Sequence, residues 1–281
     1  MEVFALYSHI VYSESLEPLR GEATAGAYSI KDGNDQDVRH HEGIFPIVRY
    51  DNEGRLHLLG TGFFISNNGL FATAKHVLNA PFKNGREEFP IGLIQFRPNK
   101  TFLHRPILRF AAHPKSDVAV GVGAPMSHVL DGTPMINPLL ILDSEIPAIN
   151  TRVVTFAYPK YKNEISEDVQ RVMFEPSFFD GNLIEHLPAG RDRVLLPGQC
   201  FRTNIALHRG ASGGPVFSPN GRVFGINSTG YDGTDDSYIS AIRDIFDLSI
   251  DDVQVNNGRP RSVTIRELSR RGHVLITPNI S

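Results

Sequence analysis

From Ile44 onward the chain is written as short apolar or alternating runs broken by turn residues, and this texture restricts the fold more than any other feature. IFPIVRY, RLHLLGTGFFIS and LFATAKHV are separated by Asn-Glu-Gly and Asn-Asn-Gly, which are hairpin signals between apolar runs. IGLIQF, ILRFAAH, DVAVGV and TRVVTFAY continue the pattern, and RVMFEPSFF, RVLLPG, CFRTNIAL, PVFS and NGRVFGINST extend it. Many short strands at this spacing predict an all-β sandwich or a pair of barrels. A proline-rich stretch over residues 134–147 marks a boundary between two halves, which can be structurally alike without sharing sequence.

Four segments follow. Residues 1–43 form an N-terminal extension, with a first strand or helix and then a mobile linker. Residues 44–140 and 141–250 form the two β-rich halves, and residues 251–281 a C-terminal extension. Helical spacing appears late. SYISAIRDIFDL, residues 237–248, puts Ile239, Ile242, Ile245 and Phe246 on one helical face, and VTIRELSRRG ends in a glycine as helices often do.

Composition excludes several classes of function. The formal net charge is -3 over 281 residues, so no general field draws the chain to nucleic acid or an acidic membrane. The pairs Arg259/Arg261 and Arg270/Arg271 read as solvated surface. Cys200 is the single cysteine, which rules out an intrachain disulfide and a multi-cysteine metal site and suits buried packing. The start, MEVFALYSHIVYSESLEPLRG, is a poor signal peptide, and no apolar run reaches the roughly 18 residues that span a bilayer. A soluble, cytoplasmic protein is expected, with no cofactor and no metal. His40, His41 and Glu42 read as a surface loop. In the Asp232-to-Asp236 run, calcium binding is disfavoured because the full loop spacing is missing.

RGASGGPVFSPNGRVFGIN, residues 209–227, carries the chemistry. Ser212 lies in a G-x-S-x-G match, but the elbow of α/β-hydrolases needs a helix after its serine, and Pro215 and Pro219 obstruct one. A serine needs an imidazole base, and the base needs an orienting carboxylate. Upstream, FATAKHV offers His76 and HPKSDVAVGV offers Asp117, in the order His, Asp, Ser. His113 and His208 are the substitute bases and Asp131 and Asp143 the substitute acids. His104 reads as packing or surface.

These motifs resemble those of the trypsin-like (chymotrypsin-fold) serine peptidases, and most closely the HtrA/Deg type. GTGFFISNNGLFATAKHV is similar to that group's strand, hairpin and histidine motif, SDVAV to its aspartate motif, FRTNIALHRGASGGPV to the approach to its catalytic serine, and GRVFGIN to the strand after it. The similarity covers about residues 44–245. It implies two six-stranded antiparallel β-barrels with a C-terminal helix and short terminal extensions. It implies a serine endopeptidase acting on polypeptides, with Ser212 as nucleophile, His76 as base and Asp117 orienting the base. The N–H groups of Gly210 and Ser212 would form the oxyanion hole, and Ser228, Thr229 and Gly230 the strand that pairs with substrate. The S1 pocket would be lined near Ala206, Asn227 and Asp236. A buried Asp236 would accept a P1 Arg or Lys, while an exposed one belongs to a solvated loop and leaves small apolar P1 residues. Ala211 stands where trypsin-like zymogens carry an aspartate, so that activation switch is not expected. No room for a PDZ domain is expected after the late helix. The alternative is a silent or latent protease-fold binding module, and a regulatory protein partner stays open.

Overall fold

The computed structural model describes residues 7–12, 23, 30–31, 37–38, 40–79, 82–83, 86–87, 90–97, 102–125, 136–166, 169–230, 236–254 and 258–278. The expected linker within residues 1–43, Asp131 and most of the Asp232-to-Asp236 run lie outside these.

Two closed six-stranded antiparallel barrels follow one another. The first is built from β1 (Ile44–Tyr50), β2 (Leu56–Phe64), β3 (Leu70–Thr73), β4 (Ile91–Phe96), β5 (Phe102–Ala112) and β6 (Ala119–Gly123). They close in the order β5-β6-β3-β2-β1-β4. The second uses β7 (Arg152–Ser166), β8 (Val169–Leu187), β9 (Cys200–Thr203), β10 (Pro215–Phe217), β11 (Val223–Gly230) and β12 (Ser237–Ala241). Its path β10-β7-β8-β9-β12-β11 is closed by pairing of β10 with β11. Counted from its own first strand, each barrel has the same ring order, 4-1-2-3-6-5.

Residue type explains the closure. Inward positions in the first barrel are filled by Phe45, Ile47, Phe63, Phe71 and Leu93, all fully buried or nearly so. Gly121 lies against the Phe71 ring, where a Cβ would stand 2.4 Å from Phe71 Cζ. The second barrel is filled by Val153, Phe179, Phe201, Val216, Phe224 and Ile239. Cys200 is buried there, and burial pushes its thiol pKa up, as a packing cysteine requires.

Three expectations need correction. Residues 237–248 are not one helix. Ser237–Ala241 is strand β12, paired on both sides with β9 and β11, and only Ile242–Ile245 coils, as a 3-10 turn. Two flanking strands satisfy the backbone of Tyr238, Ile239 and Ser240, which outweighs the helical spacing. RVLLPG is not a strand either. Asp192 Oδ1 accepts the N–H groups of Leu195 (2.6 Å) and Val194 (2.8 Å), which wraps the segment into a turn. Those bonds hold the Asp192 carboxyl at about 2. His40 is not in a surface loop. It sits in the short helix His40–Gly43 with its ring 4.5 Å from the Phe178 ring.

The extensions are attached to the barrels. Tyr7–Tyr12 pairs in parallel with Val169–Phe174, the outer half of β8. Ser249–Val253 and Arg261–Thr264 form a hairpin that leads into helix α2 (Ile265–Arg270). Thr264 caps that helix by accepting from Glu267 N–H at 3.1 Å, and Gly272, with φ +75°, turns the chain after it. Among the described residues no helix is long and apolar enough to cross a membrane.

Candidate active site

His76 is the second residue of a one-turn helix, α1 (Lys75–Asn79), which follows β3 directly. Lys75 donates to the carbonyls of His113 (2.9 Å) and Pro114 (3.4 Å) and ties this helix to the loop before β6. Asp117 is buried in that loop, two residues before β6. Its carboxylate holds His76 twice. Oδ2 lies 2.8 Å from His76 Nδ1, and Oδ1 accepts the His76 backbone N–H at 3.0 Å. The ring is half exposed, and Nδ1 is the nitrogen committed to the carboxylate. That fixes the tautomer with Nδ1–H, so Nε2 is left as a proton acceptor facing outward.

Ser212 comes from the loop between β9 and β10 of the second barrel, and four contacts anchor it. The Ser212 carbonyl accepts Thr61 N–H at 2.8 Å. Thr61 Oγ1 donates to the Gly210 carbonyl at 2.9 Å. Gly213, with φ +87°, abuts Thr61 and Thr73 so closely that a Cβ would stand 2.1 Å from the Thr61 carbonyl oxygen. The Ser212 hydroxyl donates to the Ser228 carbonyl at 3.2 Å. The Ser228 hydroxyl bonds Asp117 Oδ2, so the backbone of Ser228 holds Ser212 while its side chain holds the carboxylate that grips His76. Among the described residues, Ser212 Oγ makes no bond to His76. To donate to the imidazole, the hydroxyl must leave the Ser228 carbonyl.

Gly210 has φ +95°, and a Cβ there would stand 2.6 Å from the Tyr158 carbonyl oxygen. Glycine is required on both counts. The loop turns through Ala211 N–H to the His208 carbonyl at 3.0 Å. The N–H groups of Gly210 and Ser212 have no acceptor among the described residues, as donors for an incoming oxyanion would be.

The residues named for substrate separate into two groups. Ser228, Thr229 and Gly230 end β11 beside the nucleophile loop, where a register shift between Asn227 and Thr229 breaks the ladder with β12. Ala206 is buried. Asn227 braces the Ser212 loop. It is fully buried beneath the loop, and its Nδ2 donates to Thr155 Oγ1 (2.7 Å) and to the Ala211 carbonyl (3.2 Å). Asp236 is not a buried acid. Its side chain is 54% exposed and pairs with Arg202 at 3.4 Å. Solvent and Arg202 satisfy the charge that a P1 cation would need.

Sequence reasoning missed two roles. Ser228 was assigned to substrate pairing alone, yet its side chain holds Asp117. Ser116, next to Asp117, bonds Asp244 of the 3-10 turn that follows β12, so the second barrel braces the aspartate loop of the first. Residue type could not reveal either contact, because both join segments more than 100 residues apart. His113 is a brace rather than a base: its Nδ1 accepts Ser116 N–H at 2.7 Å and shapes the loop that holds Asp117. His208 lies with its ring 5.4 Å from that of Phe179. Asp143 is buried and accepts from Ser218 and Asn220, away from the His76–Asp117 pair.

A family model described as a trypsin-like peptidase domain matches residues 60–226, which is more than half of the chain. The chain belongs to the trypsin-like peptidase family. This trypsin-like chain is similar in fold to the crystal structure of Deg5, with 15% identity and a TM-score of 0.53 over 72% of this chain and 85% of that one. It is similar also to the Rv3671c protease from M. tuberculosis in its active form, with 16% identity and a TM-score of 0.50 over 73% and 78%. No curated protein matches it in sequence.

Proposed function

We propose that the chain is a serine endopeptidase. Ser212 Oγ gives its proton to His76 Nε2 and attacks the scissile carbonyl carbon. The N–H groups of Gly210 and Ser212 bind the oxyanion. His76 then returns the proton to the leaving amine, which departs and leaves an acyl-enzyme on Ser212. A water molecule, deprotonated by His76, cleaves that ester. Asp117 keeps Nδ1–H in place and stabilises the imidazolium. The observation that carries this reading is the double hold of Asp117 on His76, at 2.8 and 3.0 Å, in a chain of this family.

The substrate class follows from the walls beside Ser212. A Cβ placed on Gly230 would stand 3.1 Å from Leu207 Cβ and 3.6 Å from Ser237 Cβ, so strand β11 and the segment before the nucleophile touch. That closeness favours a small P1 side chain. Asp236, exposed and paired with Arg202, offers no buried charge to Arg or Lys. We assign P1 to small aliphatic residues. Peptides alike except for P1 Val, Phe or Arg should be cut with Val favoured by about tenfold or more in kcat/KM, and the cutting should vanish in Ser212→Ala. Preferred cleavage after Arg would overturn the P1 assignment. Equal cleavage by Ser212→Ala would overturn the nucleophile.

One observation favours a second reading, a latent enzyme: the Ser212 hydroxyl is engaged by Ser228 rather than by His76. A latent site would leave all three peptides uncut by the isolated chain. Cleavage would then begin only with a partner protein that reorders the loop.

A further inference from the structure

A cavity of about 190 Å³ lies between the first barrel and the C-terminal extension, on elements the catalytic reading does not use. Its apolar surface comes from Leu70 at the start of β3, Val122 in β6, Val253 at the end of its strand and Leu268 in α2. Leu70 and Leu268 are buried, so this part is a dry floor. Arg109 of β5 and His273, just beyond the Gly272 turn, stand in the polar part of the wall with Ser66, Asn68 and Gln254. No aspartate or glutamate is among the lining residues.

The polar groups are incompletely used. Arg109 spends one terminal nitrogen on the Asp252 carbonyl at 2.7 Å and the other on Asp252 Oδ2 at 3.3 Å. Its Nε is buried and has no partner among the described residues, and the same holds for His273 Nε2. Two buried nitrogens with nothing to bond are costly, and both belong to residues that line one cavity. The Asp252 carboxylate that does reach Arg109 is itself 69% exposed, so solvent weakens its hold. Asp252 also sits at φ +57°, a conformation that asparagine tolerates well.

We propose that this cavity binds a small aliphatic carboxylate. The acid group would pair with the Arg109 guanidinium, and the hydrocarbon arm would lie on Leu70, Val122, Val253 and Leu268. Guanidinium and carboxylate match in geometry, which favours an acid over a neutral amide of the same shape. The volume suits roughly ten non-hydrogen atoms or fewer at protein packing density. An occupant would touch β3, which leads into His76, and β6, which follows Asp117. The site can therefore report a metabolite acid to the catalytic pair.

The test uses the full chain and three probes: 4-methylpentanoate, its amide and inorganic phosphate. Calorimetric titration and thermal unfolding are read together, so the outcome does not depend on peptidase activity. At about ten times its Kd the acid should raise Tm by about 3 °C, and the amide and phosphate should not. Arg109→Gln should weaken acid binding at least tenfold. Asp252→Asn, which frees the guanidinium and keeps the backbone, should strengthen it several-fold. Leu268→Phe, which fills the floor without touching a charge, should abolish it. Equal binding of acid and amide, stronger binding of phosphate, or acid binding unchanged in Arg109→Gln and Asp252→Asn would each overturn the proposal.

Discussion

The two barrels share one ring order and differ in what they do with it. In the first, the loop after β3 carries His76 and the loop before β6 carries Asp117, and these hold each other within one barrel. In the second, the loop before β10 carries Ser212 on a glycine-shaped backbone. Each barrel also buries one polar network. Arg105 of the first donates to Gln95 (3.0 Å), Asn137 (2.8 Å) and the Ala124 carbonyl (2.9 Å), with the Phe64 ring 5.1 Å away. Burial lowers the Arg105 pKa to about 10. Asn227 of the second is the smaller equivalent, joining Thr155 to the nucleophile loop. One network ties down the connection toward the second barrel, while the other ties down the Ser212 loop. The same frame thus takes a cationic brace in one barrel and a neutral, compact one under Ser212 in the other.

Two substitutions sharpen that contrast. Arg105→Met strips donors from two buried acceptors and a half-buried carbonyl at once and should cost about 3 kcal/mol in stability, read by urea unfolding. The kcat of the folded fraction should change less than about twofold. Asn227→Ala should cost less, about 1–2 kcal/mol, because the Thr155 hydroxyl keeps its bond to the Pro215 carbonyl at 2.7 Å. Its kcat should nevertheless fall by about 10- to 100-fold, since the loop that presents Ser212 loses its support. If Arg105→Met lowered kcat more than Asn227→Ala, the division of labour between the two networks would be wrong.

Much of this was legible in the sequence. Short apolar runs with glycine and proline turns locate most of the barrel strands, because strand pairing needs little more than alternation and a stop. His76 and Ser212 stand out because each follows small residues, and Asp117 because it enters an apolar strand. What was not legible depends on tertiary company. Ser237–Ala241 carries helical spacing but lies between two strands. Val194 and Leu195 look like strand residues but are wound around Asp192. Asn227 and Asp236 read as pocket residues by position alone, whereas the burial of one and the exposure of the other appear only in the fold. The Ser228–Asp117 and Ser116–Asp244 contacts, and the Arg109–His273 cavity, appear only once distant segments meet.

The proposed function has Ser212 turn from Ser228 to His76, which Asp117 holds, so that the serine becomes a nucleophile across the join of the two barrels. Its most direct test is intact-mass labelling with a fluorophosphonate. One adduct on the natural chain, absent from Ser212→Ala and lowered by about 10⁴-fold in rate in His76→Ala, is the predicted result. An adduct that survives in Ser212→Ala, or labelling of His76→Ala at the natural rate, would contradict it.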